Sequence, residues 1–318
     1  MSYACPDSFA LGGGGSAGDT LRRGGVICRD EGSMPPACPQ NFIGWASSDV
    51  LRYPPEAGFP FGAGETKSIL LEVHYENLAQ TKGIVDRSGF EFTFTERLRP
   101  HDLGYLIVGD SLEQQAAPVQ SRPQRLPAGH AEYEVSNFCP ASCIRQMLPS
   151  AKSELHVVST TFHMHVKGVH EYLEVWRDGK RMGGISQPYW DFEHQRALPA
   201  ERGTVLHADD ALLTRCVFNT RNSTQLESPY ITGSAAPGGE QDVVGGFGTY
   251  NKAEGHFEEM CYAFVLVWPK PLRSTCIALK NVGFPSMIYC ERDAQNRLLP
   301  WNLMFDTRAD AHTYKGGE

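Results

Sequence analysis

The run LHVVSTTFHMHV, Leu155 to Val166, decides how this chain is read. It is crowded with β-branched and apolar residues, shows no helical period, and places His163 and His165 at alternate positions near its end. Such a run is predicted to be a strand. Side chains at i and i+2 of a strand point to the same face, so His163 and His165 can converge on one metal ion. The same texture recurs on both sides: SILLEVHY (68–75), GFEFTFTERL (89–98), GYLIVG (104–109), EYLEVWRDG (171–179), TVLHADDALLTRCVFNT (204–220) and MCYAFVLVWP (260–269). Turn residues separate these runs, and Asp178-Gly179 is a hairpin turn. Helix-period stretches are scarce, so the predicted fold is all-β, most simply a pair of β-sandwiches.

Organisation follows from composition. Residues 1–40 are rich in Gly, Pro and Cys and are expected to form loops tied by disulfides. The polar, proline-containing stretch 114–125 (QQAAPVQSRPQR) is the expected linker, dividing an N-terminal domain at 1–113 from a C-terminal domain at 126–318. A long polar loop between Arg221 and Gly245 carries the glycosylation sequon Asn222-Ser223-Thr224.

The chain has 318 residues, with 29 basic against 37 acidic side chains and a net charge of −8. No basic cluster interrupts that balance, which argues against nucleic-acid binding. No apolar run approaches the ~20 residues that span a bilayer. The nine cysteines are scattered and mostly lack zinc-site spacing. Together with the sequon they point to the secretory pathway, the cell exterior or a vesicle lumen, although Met1 to Phe9 do not resemble a signal peptide.

Met260 gives the histidine pair its chemical meaning. In GHFEEMCYAFVLVW (255–268), alternation sends Met260 to one face and Cys261 to the other. A thioether joined to two imidazoles is a soft, mixed donor set that suits copper, and Cu(I) in particular. Zinc would more often recruit a third histidine, a carboxylate or thiolates. In SILLEVHYEN, Leu71, Val73 and Tyr75 share one face, leaving Glu72 and His74 on the other.

Nine segments extend the pattern in order: LEVHYEN (71–77), DRSGFEFTF (86–94), RPHDLGYLIVG (99–109), FHMHVKG (162–168), VWRDGK (175–180), YWDFEHQ (189–195), TRCVFNT (214–220), GGFGT (245–249) and EEMC (258–261). In this order and spacing the sequence resembles the copper type II, ascorbate-dependent monooxygenases, from about Tyr3 to Trp301. The resemblance implies two jelly-roll-like β-sandwich domains, each with one copper, and ascorbate as reductant. It implies that His163, His165 and Met260 hold the copper that meets dioxygen, and that His74 serves the other copper. The two remaining ligands of that second copper would be adjacent histidines just upstream of Met1, so the first domain is expected to be incomplete. The resemblance further implies disulfides Cys5–Cys38, Cys139–Cys276, Cys216–Cys261 and Cys143–Cys290, and leaves Cys28 for an upstream partner.

The implied activity is hydroxylation of a C–H bond. Peptide-hydroxylating members hold a carboxylate with Arg, Asn and Tyr, where this chain has Thr161, Tyr262 and Phe264. Without the bidentate arginine a peptide terminus fits poorly, which favours a small amine-like substrate of phenethylamine type. Pro300-Trp301-Asn302 also resembles the catecholamine branch. Met164, between the two histidines, is expected to point away from the metal. The alternative is a secreted, non-catalytic β-sandwich protein that binds copper.

Overall fold

The computed structural model describes residues 50–110, 125–221 and 243–279, apart from 63–65, 67, 72, 74, 76–80, 151, 202, 247 and 252–255, together with strands at 2–5, 40–43, 287–292 and 298–300. The architecture is all-β, as the alternating runs predict. Two sheets face each other. One contains β1 (Gly104–Asp110), β3 (Leu155–His163), β8 (Cys261–Trp268) and β9 (Thr275–Leu279). The other is formed by β2 (Tyr133–Cys139), β4 (Gly168–Arg177), β5 (Lys180–Gln187) and β6 (Asp210–Phe218). The remaining labelled strand, β7 (His256–Glu259), leads into β8. In the first sheet the order is β3-β8-β1-β9, so a strand from before residue 113 sits between two strands from after residue 260. In the second the order is β5-β4-β6-β2.

The inner faces make the core. Leu106 and Val108 of β1, Phe162 of β3, and Ala263, Val265 and Val267 of β8 pack against Leu173 of β4 and Leu212 of β6. Strand alternation produces this directly: Ala263 and Val265 are buried while Tyr262 and Phe264 are half-buried on the opposite face. Both described disulfides cross between the two sheets. Cys139 of β2 bonds Cys276 of β9, and Cys216 of β6 bonds Cys261 of β8.

The β4–β5 hairpin turns on Asp178 (φ 48°) and Gly179 (φ 71°), two left-handed residues in succession. That pair suits the right-handed twist of the flanking strands, which is why Asp-Gly marks the turn in the sequence. Two local features differ from expectation. A helix, α1 (Ala141–Met147), buries Cys143, Ile144 and Met147 at the edge of the core. Its two turns are too short to impose a visible helical period. The expected strand at 89–98 is not paired into a sheet. Phe90, Phe92 and Phe94 nevertheless line up in sequence, the first pair stacked and the second tilted, with ring centroids 6.0 and 6.1 Å apart. Alternation fixes where side chains point but does not supply a neighbouring strand.

Ser2–Cys5 pairs with both Gln40–Ile43 and Ser68–Leu71. Among the described residues, no helix is long and apolar enough to cross a membrane.

Candidate metal centre

The centre is built where β3 ends and β8 begins. These strands are antiparallel neighbours, with Tyr262 opposite His163 and Phe264 opposite Thr161. Continuing that register by two residues sets Met260 across from His165. Alternation then gives His163, His165, Met260 and Tyr262 a common face. The rings of His163 and His165 stand 5.2 Å apart, nearly perpendicular. His165 and Met260 are buried, and His163 is half-buried.

Each imidazole is held through Nδ1. Nδ1 of His163 lies 2.6 Å from Oε1 of Gln195, and Nδ1 of His165 lies 2.9 Å from the Glu258 carbonyl oxygen. Gln195 also donates from Nε2 to the Phe192 carbonyl at 2.9 Å, so its oxygen is the end that faces His163. Both partners are acceptors, which places the proton on Nδ1 and leaves Nε2 of each ring as the nitrogen that could ligate a metal. Two imidazole Nε2 atoms and a thioether, as these residue types would supply them, fit copper as a donor set.

Residues 189–195 strap the histidines from one side. The Trp190 indole N–H donates to the His165 carbonyl at 2.9 Å, and the Phe192 ring meets the His165 ring edge-on at 6.1 Å. Gly168 makes room for the indole, because a Cβ there would lie 2.7 Å from Cδ1 of Trp190. Met164 turns inward and is fully buried beside Cys216, Cys261 and Phe218.

Gly246, Gly248 and residues 257–260 clasp the other side. Gly246 N–H donates to the Glu259 carbonyl at 3.1 Å, and Gly248 N–H to Oε2 of Glu258 at 2.8 Å. The Glu259 carboxylate accepts backbone N–H groups from His165 at 2.7 Å, Lys167 at 2.6 Å and Met260 at 3.3 Å. Burial pushes this carboxyl up to about 8, against the opposing pull of those three donors and of Lys167. Glu171 is also fully buried. Burial raises it well above the ordinary carboxylate range; the His163 amide opposes this and the Glu259 carboxylate adds to it.

Gln195, Trp190, Glu258 and Glu259 all lie within segments the sequence singles out. Their roles were not legible there, since hydrogen-bond partners 25 to 94 positions away leave no local pattern.

Other cation-binding arrangements do not compete. Among the described residues, Cys139, Cys143 and Cys276 form one close group and Glu171, Cys216 and Cys261 another. All five cysteines are disulfide-bonded, so neither group offers thiolates. A surface groove of about 460 Å³ opens on the outer face of the β4–β6 sheet, away from the histidine pair. Its charges satisfy one another, with Arg215 paired to Glu134 at 2.6 Å and Arg181 to Glu174 at 3.1 Å.

His74 and Asn222 lie outside the described residues, as do the side chains of Cys5, Cys28, Cys38 and Cys290.

Comparison with known proteins adds to this geometry. Residues 115–234 match the family model described as copper type II ascorbate-dependent monooxygenase, C-terminal domain. The chain is similar to MOXD1 homolog 1 of Drosophila melanogaster, 29% identical over 287 residues, covering 88% of this chain and 36% of that protein. It is similar to dopamine beta-hydroxylase of Rattus norvegicus, 26% identical over 250 residues, covering 78% of this chain and 35% of that one. It is also similar to DBH-like monooxygenase protein 1 of Homo sapiens, 24% identical over 289 residues, covering 89% and 41%. The chain therefore spans well under half the length of each of these relatives. Family profile, relatives and the ordered motifs agree: residues 115–234 match the C-terminal domain of the copper type II, ascorbate-dependent monooxygenases, and most of the chain is similar to proteins named as monooxygenases or hydroxylases.

Proposed function

We propose that this chain carries the dioxygen-activating copper site of a monooxygenase that hydroxylates a C–H bond of a small, phenethylamine-like amine, with ascorbate as reductant. The observation that carries this reading is the meeting of His163 and His165, each held through Nδ1, with Met260 at the opposed register position. Copper bound there would supply the dioxygen binding and one-electron chemistry. Gln195 and the Glu258 carbonyl accept from Nδ1 of the two rings and so orient each ring with Nε2 directed away from these partners. The thioether of Met260 favours the reduced metal.

Substrate class is supported by the face beside His163. Tyr262 and Phe264 lie opposite His163 and Thr161, with their rings 6.2 Å apart. That face offers aromatic surface and a hydroxyl, with Thr161 in place of the arginine of peptide-hydroxylating members, which suits an aromatic amine better than a peptide terminus.

His74 belongs to this proposal as a ligand of a second copper, as do disulfides Cys5–Cys38 and Cys143–Cys290, glycosylation at Asn222, and the domain division at 114–125. Interior disulfides and the sequon favour an oxidising, secretory location.

The test is copper titration followed by oxygen uptake with ascorbate, using tyramine as the probe and mass spectrometry to find an added oxygen atom. Copper binding with ascorbate-dependent hydroxylation is expected. Copper binding without turnover would select a non-catalytic copper-binding protein, and no copper binding would sink the metal assignment altogether.

A further inference from the structure

Glu259 is fully buried and stands between the two segments that carry the candidate ligands. Its Oε2 takes the His165 N–H at 2.7 Å and the Met260 N–H at 3.3 Å, while Oε1 takes the Lys167 N–H at 2.6 Å. One carboxylate therefore joins the turn that leaves β3 to the residue just before β8. Burying a carboxylate is costly, and an apolar side chain would be the cheaper occupant of a buried strand position. An apolar residue would, however, strand three N–H groups. Glutamine would turn an amide donor toward at least one of them. Aspartate is one methylene shorter. Of these side chains, only glutamate accepts all three N–H groups at this reach.

We propose that Glu259 is a positioning residue that sets the separation of His165 from Met260 before any metal arrives. The proposal rests on the copper reading of the site. It assigns to Glu259 the pairing of imidazole with thioether, and through it the preference of the site for the reduced metal. His165 is thereby held at both ends: its ring by the Glu258 carbonyl, its backbone by the Glu259 side chain. Adjacent residues of one strand thus fix the ring and main chain of a ligand more than 90 positions away.

Copper K-edge absorption on the Cu(I) form, with Cu(I) competition titrations, tests this on the wild type, Glu259→Gln and Glu259→Asp. The wild type is expected to show sulfur scattering. Glu259→Gln is expected to keep its fold by near-UV circular dichroism, lose most of that scattering and bind Cu(I) about 10- to 100-fold more weakly. Binding of Cu(II), carried by the imidazoles, should change less, and Glu259→Asp should fall between. A folded Glu259→Gln protein with sulfur scattering and Cu(I) affinity unchanged overturns the positioning role and leaves the copper reading standing. No sulfur scattering in the wild type overturns both. Amide hydrogen exchange on the metal-free wild type gives a check that needs no variant. His165, Lys167 and Met260 amides are expected to be protected, and exchange at open-chain rates would overturn the proposal.

Discussion

Gln195 settles the proton of His163. Its amide nitrogen is committed to the Phe192 carbonyl at 2.9 Å, so its oxygen must face Nδ1 of His163, 2.6 Å away. An acceptor that cannot rotate forces its partner to be the donor, and the tautomer follows.

Replacing Gln195 by leucine should therefore weaken copper binding by about 10- to 100-fold. Gln195→Glu keeps an oxygen at Nδ1 and should retain most of the affinity. Competition against a copper chelator measures both. Equal affinities for wild type and Gln195→Leu would show that His163 needs no such partner.

Met260 should matter to one oxidation state more than the other. Met260→Ala is expected to lower Cu(I) affinity by at least about tenfold, or about 1.4 kcal/mol, with a smaller effect on Cu(II). Unchanged Cu(I) affinity would remove Met260 from the donor set.

The two disulfides cross the same pair of sheets but close chain segments of different length, with sequence separations of 137 for Cys139–Cys276 and 45 for Cys216–Cys261. Each pair replaced by alanine should cost about 2–5 kcal/mol. Chain-entropy scaling makes the longer closure worth about 1 kcal/mol more. Urea midpoints of the two double variants provide the comparison, and the reverse order would count against an entropic origin.

Glu171 should give the metal-free protein a distinctive pH dependence. Its folded pKa is raised above the unfolded value, so the stability it contributes is full below the unfolded carboxylate range and is lost as pH rises toward the folded pKa. Glu171→Gln removes this titration. The variant should gain stability relative to wild type as pH goes from 4 to 8, read as a rising difference in urea midpoint. A pH-independent difference would mean that Glu171 ionises as easily folded as unfolded.

Much of this was legible in residues with local signatures. The Asp178-Gly179 turn needs only two left-handed residues, and the strand carrying His163 needs only alternation. The surroundings of the histidine pair were less legible. Gln195 and Glu259 act on residues brought near by strand pairing, and nothing adjacent to them in sequence records that contact. The Phe90-Phe92-Phe94 run shows the opposite limit, with a clear period and no sheet partner to complete it.

The place of β1 in its sheet has a consequence for how the molecule is made. Residues 104–110 leave the ribosome some 150 positions ahead of 261–268, yet they hydrogen-bond directly to them. Strand β3, with His163 at its end, pairs with that same late strand. Until β8 emerges, the nascent sheet lacks the strand that joins its two halves, and closing so long a separation is slow. Met260 directly precedes that strand, so the histidine pair and Met260 can be brought together only after β8 has been made. An encounter with copper before that point would meet His163 and His165 without Met260.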